Sequence, residues 1–116
     1  MIQNYLKQIQ KEFSHIEPYD EDDLEWWNEG LDLIREGKLV QAEKKFKMLV
    51  VSQPEHSDGF EGLSKVYSKM DRIAEAKYFI DLAVEKVKKS VQSGHTDPEI
   101  LELMLNQKKA IEKLNK

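Results

Sequence analysis

Three histidines and one acidic run are the residues of this 116-residue chain whose chemistry could support catalysis or metal binding. His15, His56 and His95 are far apart in the sequence, and none pairs with a carboxylate three or four residues away in a way typical of a site. The acidic run at 20–23 lacks the alternating oxygen ligands, central glycine and closing glutamate of a calcium-binding EF-hand loop. We therefore predict no metal or cofactor site. We assign the run to the N-terminal cap and first turn of a helix, where negative charge is favourable.

Sequence motifs of the common enzyme classes are missing as well. The chain contains no glycine-rich phosphate loop, no G-x-S-x-G motif and no H-E-x-x-H motif. It also contains no cysteine, which excludes a disulfide framework, a thiolate metal site and a cysteine nucleophile. Its many acidic residues are typical of solvated helix faces, where Glu43 and Lys47 have the spacing of an i, i+4 pair. We predict that the protein is not an enzyme.

The charge and the apolar content limit the partners. A net charge of −4 argues against nucleic acid as the main partner. No apolar run approaches the ~20 residues needed to span a bilayer, and the first residues lack the basic and apolar regions of a signal peptide. We expect a cytoplasmic protein of one domain with no membrane partner. Residues 1–62 hold 14 acidic and 7 basic side chains, whereas 63–116 hold 8 and 11, so the two ends differ in sign.

A pattern of large and small residues recurs after 34 positions, and this recurrence predicts the fold. The paired positions agree in size class or apolar character; they are Trp26 and Phe60, Gly30 and Ser64, Leu33 and Tyr67, Ala42 and Ala76, Phe46 and Ile80, and Leu49 and Ala83. Spacings of three and four residues predict two helices in each unit, joined by turns at 36–38 and 70–72. In the first unit these helices cover 23–36 and 39–52. The small residues are expected where two helices cross, because a large side chain there would hold the helices apart.

Further helices are expected outside the repeated units. The apolar residues of 1–16 keep helical spacing; they are Ile2, Tyr5, Leu6, Ile9 and Phe13. The helix that begins near Ile73 has no breaker before Gly94 and is expected to end near Gln92. A last helix over 97–115 is predicted from a capping residue followed by Pro98 in the first turn. We interpret 1–16 and 97–115 as caps, since a stack of two hairpins leaves an apolar face open at each end.

The repeat resembles the tetratricopeptide repeat (TPR) family, whose pattern is W-x2-L-G-x2-Y, then A-x3-F, then P. The first unit matches at Trp26, Gly30, Ala42, Phe46 and Pro54, and departs with Glu29 for Leu and Leu33 for Tyr. The second unit matches at Leu63, Tyr67 and Ala76, with Phe60 for Trp, Ser64 for Gly and Lys88 for Pro. The resemblance covers about 23–90. It implies an all-α fold in which two TPR-like hairpins, at 23–56 and 57–90, form a right-handed superhelical stack between the two capping helices.

In that family the first helix of each hairpin lines a concave groove that holds a peptide or a partner helix. The resemblance implies that the groove residues are Leu24, Trp27, Asn28, Leu31, Ile34 and Arg35 in the first unit, and Asp58, Glu61, Gly62, Lys65, Ser68 and Lys69 in the second. One subgroup of the family binds the C-terminal carboxylates of chaperones through Lys and Asn side chains. At the positions of those Lys and Asn side chains, this chain has Trp27, Leu31 and Gly62. The resemblance therefore does not imply that it binds the C-terminal carboxylates of chaperones.

The groove face of the first unit is apolar, and two interpretations of it stay open. Either residues 2–13 fold over it, or it receives a partner helix or a second copy of the chain. We expect a non-catalytic protein-interaction module (an adaptor, scaffold or co-chaperone-like protein); the alternative is a structural protein that homodimerises through this face. A fitting partner has apolar anchors for Trp27 and a few acidic residues for Lys65 and Lys69. The lysine contributions should weaken with salt, whereas the Trp27 contribution should not.

Overall fold

The computed structural model describes residues 4–18 and 24–114. These residues form six α-helices and no β-strand, so the all-α prediction is confirmed. The helices are α1 (Tyr5–Glu12), α2 (Leu24–Arg35), α3 (Leu39–Ser52), α4 (Asp58–Lys69), α5 (Ile73–Gln92) and α6 (Pro98–Leu114). The acidic run predicted to begin the helix at 23 lies outside the described residues, as does the side chain of Leu24.

The helix bounds themselves recur after 34 residues. The first and last residues of α4 lie 34 positions after those of α2, and α5 begins 34 positions after α3. The turns that follow α2 and α4 also correspond, because Gly37 and Asp71 both have positive φ, at 77° and 62°. In each turn, the residue after this positive-φ residue donates its backbone N–H to the carbonyl five residues before it, at 2.8 Å. This hydrogen bond closes a Schellman motif. The repeated sequence pattern is therefore matched by a repeated backbone.

Consecutive helices from α2 to α6 pack against one another, and α2 also contacts α4. The links between them are short, so neighbouring helices run roughly antiparallel. The small residues Ala42 on α3 and Ala76 on α5 are completely buried in the core. Phe46 of α3 is equally buried and lies against the backbone of Gly30, where a β-carbon would overlap its ring. The helices approach closely because these positions carry little or no side chain.

A polar network joins α3, α4 and the turn after α4. The hydroxyl of Tyr67, which is only 3% exposed, donates a 2.7 Å hydrogen bond to Glu43 Oε2. Arg72 lies 4.6 Å above the Tyr67 ring and also pairs with Glu43 and with Glu75. Burial and the neighbouring Glu43 carboxylate raise the pKa of Tyr67 well above its ordinary value of 10.0. At a pH at which an exposed tyrosine is ionised, Tyr67 in the folded protein therefore remains protonated.

The first prediction tests the close helix contacts. Ala76→Leu should lower the free energy of unfolding by about 1–3 kcal/mol, because extra side-chain volume in a packed core forces the backbone to shift. Ala74→Leu is the matched control, since Ala74 is exposed on the same helix and has space around it. Urea unfolding of both variants measures the difference. Equal stabilities would contradict a close contact at Ala76.

The second prediction concerns high pH. Because the unfolded chain loses the Tyr67 proton near pH 10 and the folded chain keeps it, stability should fall as pH rises above that value. The fall attributable to Tyr67 should approach about 1.4 kcal/mol per pH unit. Tyr67→Phe lacks this proton, so the comparison separates the contribution of Tyr67 from that of every other ionisable group. Urea unfolding across this range should show a steeper decline for the wild type than for Tyr67→Phe, and parallel curves would contradict the assignment.

Candidate functional site

A groove of about 440 Å³ lies between α2, α4 and α6. Its walls come from the C-terminal halves of all three helices; the lining residues are Leu31, Ile34, Arg35, Ser64, Lys65, Ser68, Lys69, Gln107, Ala110, Ile111 and Leu114. The helices α2 and α4 are the first helices of the two repeated units, as the resemblance implied for a groove. The third wall was not predicted, because α6 was interpreted only as a cap.

The floor and walls of the groove favour apolar contacts. The hydroxyl of Ser64 donates to the carbonyl of Glu61 at 2.6 Å, and that of Ser68 donates to the carbonyl of Ser64 at 2.8 Å. Both hydroxyl groups therefore donate their protons to carbonyls of α4 and not to a ligand in the groove. Leu31 and Ile34 are half-buried on one side of the groove, and Leu114 is 57% exposed on the other. A ligand in the groove would bury these three side chains.

Positive charge lies at the end of the groove, and it is only partly neutralised. Arg35 pairs with Asp32, and Lys65 lies 3.7 Å from a carboxylate oxygen of Glu61. Lys69 is exposed and has no ion pair within residues 24–114. Of the three cations on the groove, Lys69 is thus the one that can take a carboxylate from a ligand without exchanging an existing partner.

The structure brings some of the predicted groove residues together and separates others. Leu31, Ile34, Arg35, Lys65, Ser68 and Lys69 line the same groove. Glu61 lies at its edge, where it accepts a 2.7 Å hydrogen bond from Gln107 of α6 and so connects α4 to the third wall. Asn28 and Asp58 are not among the lining residues.

Two expected groove residues turn inward instead. The Trp27 ring packs edge-on against Phe46, with centroids 5.6 Å apart, and it does not line the groove. Gly62 is buried, and a β-carbon there would overlap the Phe46 ring. Trp27 and Gly62 thus pack against Phe46 of α3, and neither is among the residues that line this groove.

The helix α1 packs on α3 and α5 rather than over the groove. The Tyr5 ring contacts Tyr78 edge-on at 5.1 Å and lies 6.4 Å from the ring of Phe79 on α5. Lys47 of α3 lies 3.6 Å from the carboxylate of Glu12, at the end of α1. No described residue of α1 lines the groove. The interpretation that residues 2–13 fold over the groove thus finds no support among the described residues of α1.

A second cleft, of about 830 Å³, was missed because its residues are distant in sequence. His56 and His95, in the links before α4 and α6, both line it, together with Lys86 of α5. The ammonium of Lys86 lies 4.8 Å from the centroid of the Phe60 ring, and burial lowers its pKa. The remaining charged residues of the lining are Glu55, Asp58 and Lys89. Two carboxylates balance two ammonium groups, so the cleft favours neither sign of ligand.

Other kinds of site find no support among residues 4–18 and 24–114. No group of three or more histidine, aspartate or glutamate side chains there has a geometry that could hold a metal ion. No helix within these ranges combines the length and the apolar character needed to cross a membrane.

Comparisons with known proteins do not identify a relative. No protein-family model, no curated protein and no solved structure matches the chain. The function must therefore be inferred from the groove and its charges.

The third prediction follows from the position of α1. Deleting residues 1–16 should lower the melting temperature and expose Tyr78 and Phe79 to an apolar dye. The tryptophan emission maximum should stay unchanged, because the aromatic contacts of α1 are with α5 and not with Trp26 or Trp27, the two tryptophans of the chain. A red-shifted emission with an unchanged melting temperature would contradict this packing.

Proposed function

We propose that this protein is a non-catalytic protein-interaction module that binds a peptide or a partner helix in the groove between α2, α4 and α6. One observation carries the proposal: apolar walls from Leu31, Ile34 and Leu114 meet Lys69, a cation that has no ion pair among residues 24–114, in one concave surface. Concave, mostly apolar surfaces with a few placed polar groups are where ligands bind preferentially. The residues that line the groove include no carboxylate and no histidine, so binding is the activity it suits.

The proposal includes a TPR-like architecture with a right-handed superhelical stack. Support comes from the 34-residue recurrence of the helix bounds and of the turns at Gly37 and Asp71. Further support comes from the groove itself, since α2 and α4 contribute equivalent ends to it. In this arrangement α6 occupies the side of α4 away from α2, where the first helix of another repeat would pack.

The groove also limits the chemistry of the partner. Leu31, Ile34 and Leu114 call for apolar side chains, and Lys69 calls for a carboxylate near the end of the bound segment. The partner is therefore an amphipathic segment with apolar anchors and at least one acidic residue. Since Arg35 and Lys65 already have acidic neighbours, further carboxylates on the partner should add little affinity.

The fourth prediction is tested with a displayed library of random peptides selected on the wild-type protein. The selected peptides should carry apolar residues at helical or alternating spacing together with an acidic residue. They should bind Val40→Asp as well as the wild type, because Val40 is 73% exposed on α3 and lies outside the groove. Binding to Ile34→Asp should fall at least ~10-fold, since a charge would be buried in the groove wall.

The salt dependence of peptide binding distinguishes the charged end of the groove from its apolar walls. Lys69→Glu should weaken binding at low salt and much less at high salt, because the contribution of an exposed charge is screened. Lys44→Glu, an exposed charge reversal on α3, is the matched control. Melting curves confirm that each variant is folded. If Ile34→Asp and Lys69→Glu both bind the selected peptides with wild-type affinity, the groove is not the binding surface.

A further inference from the structure

A second apolar stripe runs along the exposed side of α6. Its apolar residues are Ile100, Leu103, Ala110 and Leu114; with the polar Gln107 at its centre, the stripe follows steps of three, four, three and four residues. Ile100, Leu103 and Leu114 are 41%, 59% and 57% exposed. The core side of α6 borders this stripe, because the buried Met104 and Ile111 lie four residues after Ile100 and Gln107. The apolar surface of α6 is thus wider than the part that is covered within the described residues.

The spacing of the stripe indicates what would cover it. Alternating steps of three and four residues form the seam of a two-helix coiled coil, so another α-helix matches this surface. One edge of the stripe carries Glu99, Asn106 and Lys113 at intervals of seven residues. All three are exposed. The edge is therefore acidic at the N-terminal end of α6 and basic at its C-terminal end.

This order of charges makes α6 complementary to itself. When two copies of α6 lie antiparallel, Glu99 of each copy comes next to Lys113 of the other, and the pairing occurs twice. A parallel arrangement would not form these pairs, because it would place the edge with Glu99 and Lys113 next to the opposite edge of the partner helix, which carries Met104 and Ile111. The antiparallel arrangement also opposes the two helix dipoles. A surface that matches its own copy in this way generates a two-fold symmetric dimer.

We propose that a second copy of this chain docks on α6, and that the two α6 helices pair antiparallel along the stripe from Ile100 to Leu114. The seam is one helix of 17 residues, about 25 Å long, and interfaces of this size are smaller than a standard stable one. The dimer should therefore form and dissociate in the micromolar range. This association goes beyond the proposed function and differs from homodimerisation through the face of α2, because α2 takes no part in it.

The dimer seam and the groove share residues. Gln107, Ala110 and Leu114 belong to the stripe and also line the groove. A second copy seated on α6 would cover the wall that a groove ligand needs. Dimerisation and peptide binding should therefore compete, so that dilution favours the monomer that is able to bind.

The fifth prediction is tested first by cross-linking the wild-type chain with a carbodiimide, which joins a carboxylate directly to an amine. Glu99 and Lys113 of one α6 are about 21 Å apart along the helix, so an amide between them must join two chains. Mass spectrometry of the dimer band should find this link. Analytical ultracentrifugation should show a concentration-dependent dimer. A chain that stays monomeric at submillimolar concentration would overturn the proposal.

Variants distinguish the antiparallel seam from other contacts. Leu103→Glu should raise the dissociation constant by at least ~10-fold, whereas Val40→Glu, an exposed apolar position on α3, should leave it unchanged. Glu99→Lys and Lys113→Glu should each weaken the dimer. The double variant should restore it, because the opposite charges meet again after both are reversed. A dimer that is insensitive to Leu103→Glu, or a double variant weaker than both single variants, would overturn the proposal. No peptide enters these measurements, so their failure leaves the proposed groove function unaffected.

Discussion

The close approach of α2, α3 and α4 around Phe46 is the constraint on which the rest of the structure depends. The ring is fully buried, and a β-carbon at Gly30 of α2 or at Gly62 of α4 would overlap it. The Phe46 ring of α3 thus fits only where both neighbouring helices have a glycine, without a side chain, at the point of contact. Because a packed interior tolerates neither voids nor overlap, this contact sets the distance of α2 and α4 from α3. It also leaves α2 and α4 side by side, which is the first requirement for a groove between them.

The charge of the groove follows from the stability of its helices. Arg35 and Lys69 are the last residues of α2 and α4, where a cation interacts favourably with the helix dipole. Both helices end beside the groove, so residues that stabilise helix ends also supply its positive charge. Asp32 neutralises Arg35, and Glu61 partly neutralises Lys65, which leaves Lys69 for a ligand. Within the part of the chain that the structure describes, the groove is therefore an apolar surface with one cation outside any ion pair, rather than a strongly basic surface.

The role of α6 shows how one helix can serve two surfaces. Met104 and Ile111 are buried on its core side. Leu114 lies next to Ile111 on the exposed part of the helix, where it belongs both to the groove and to the exposed stripe. A peptide in the groove and a second helix on the stripe would both bury this side chain, and they cannot do so together. The two proposed associations are thus coupled by sharing a wall, without any change of conformation.

The sequence by itself determined the all-helical fold, the bounds of α2, α3, α5 and α6 to within about one residue, and the turns at Gly37 and Asp71. These features depend on spacing and turn chemistry among near neighbours, which a sequence displays directly. That Leu31, Ile34 and Lys69 share one groove was implied by the resemblance to the repeat family. The tertiary structure alone decided which apolar face meets which neighbour. Trp27 and Gly62 pack against Phe46, Tyr5 packs against Tyr78, and Gln107 reaches Glu61. Each of these contacts joins residues far apart in the chain, and the periodicity of one helix does not specify the helix that covers it.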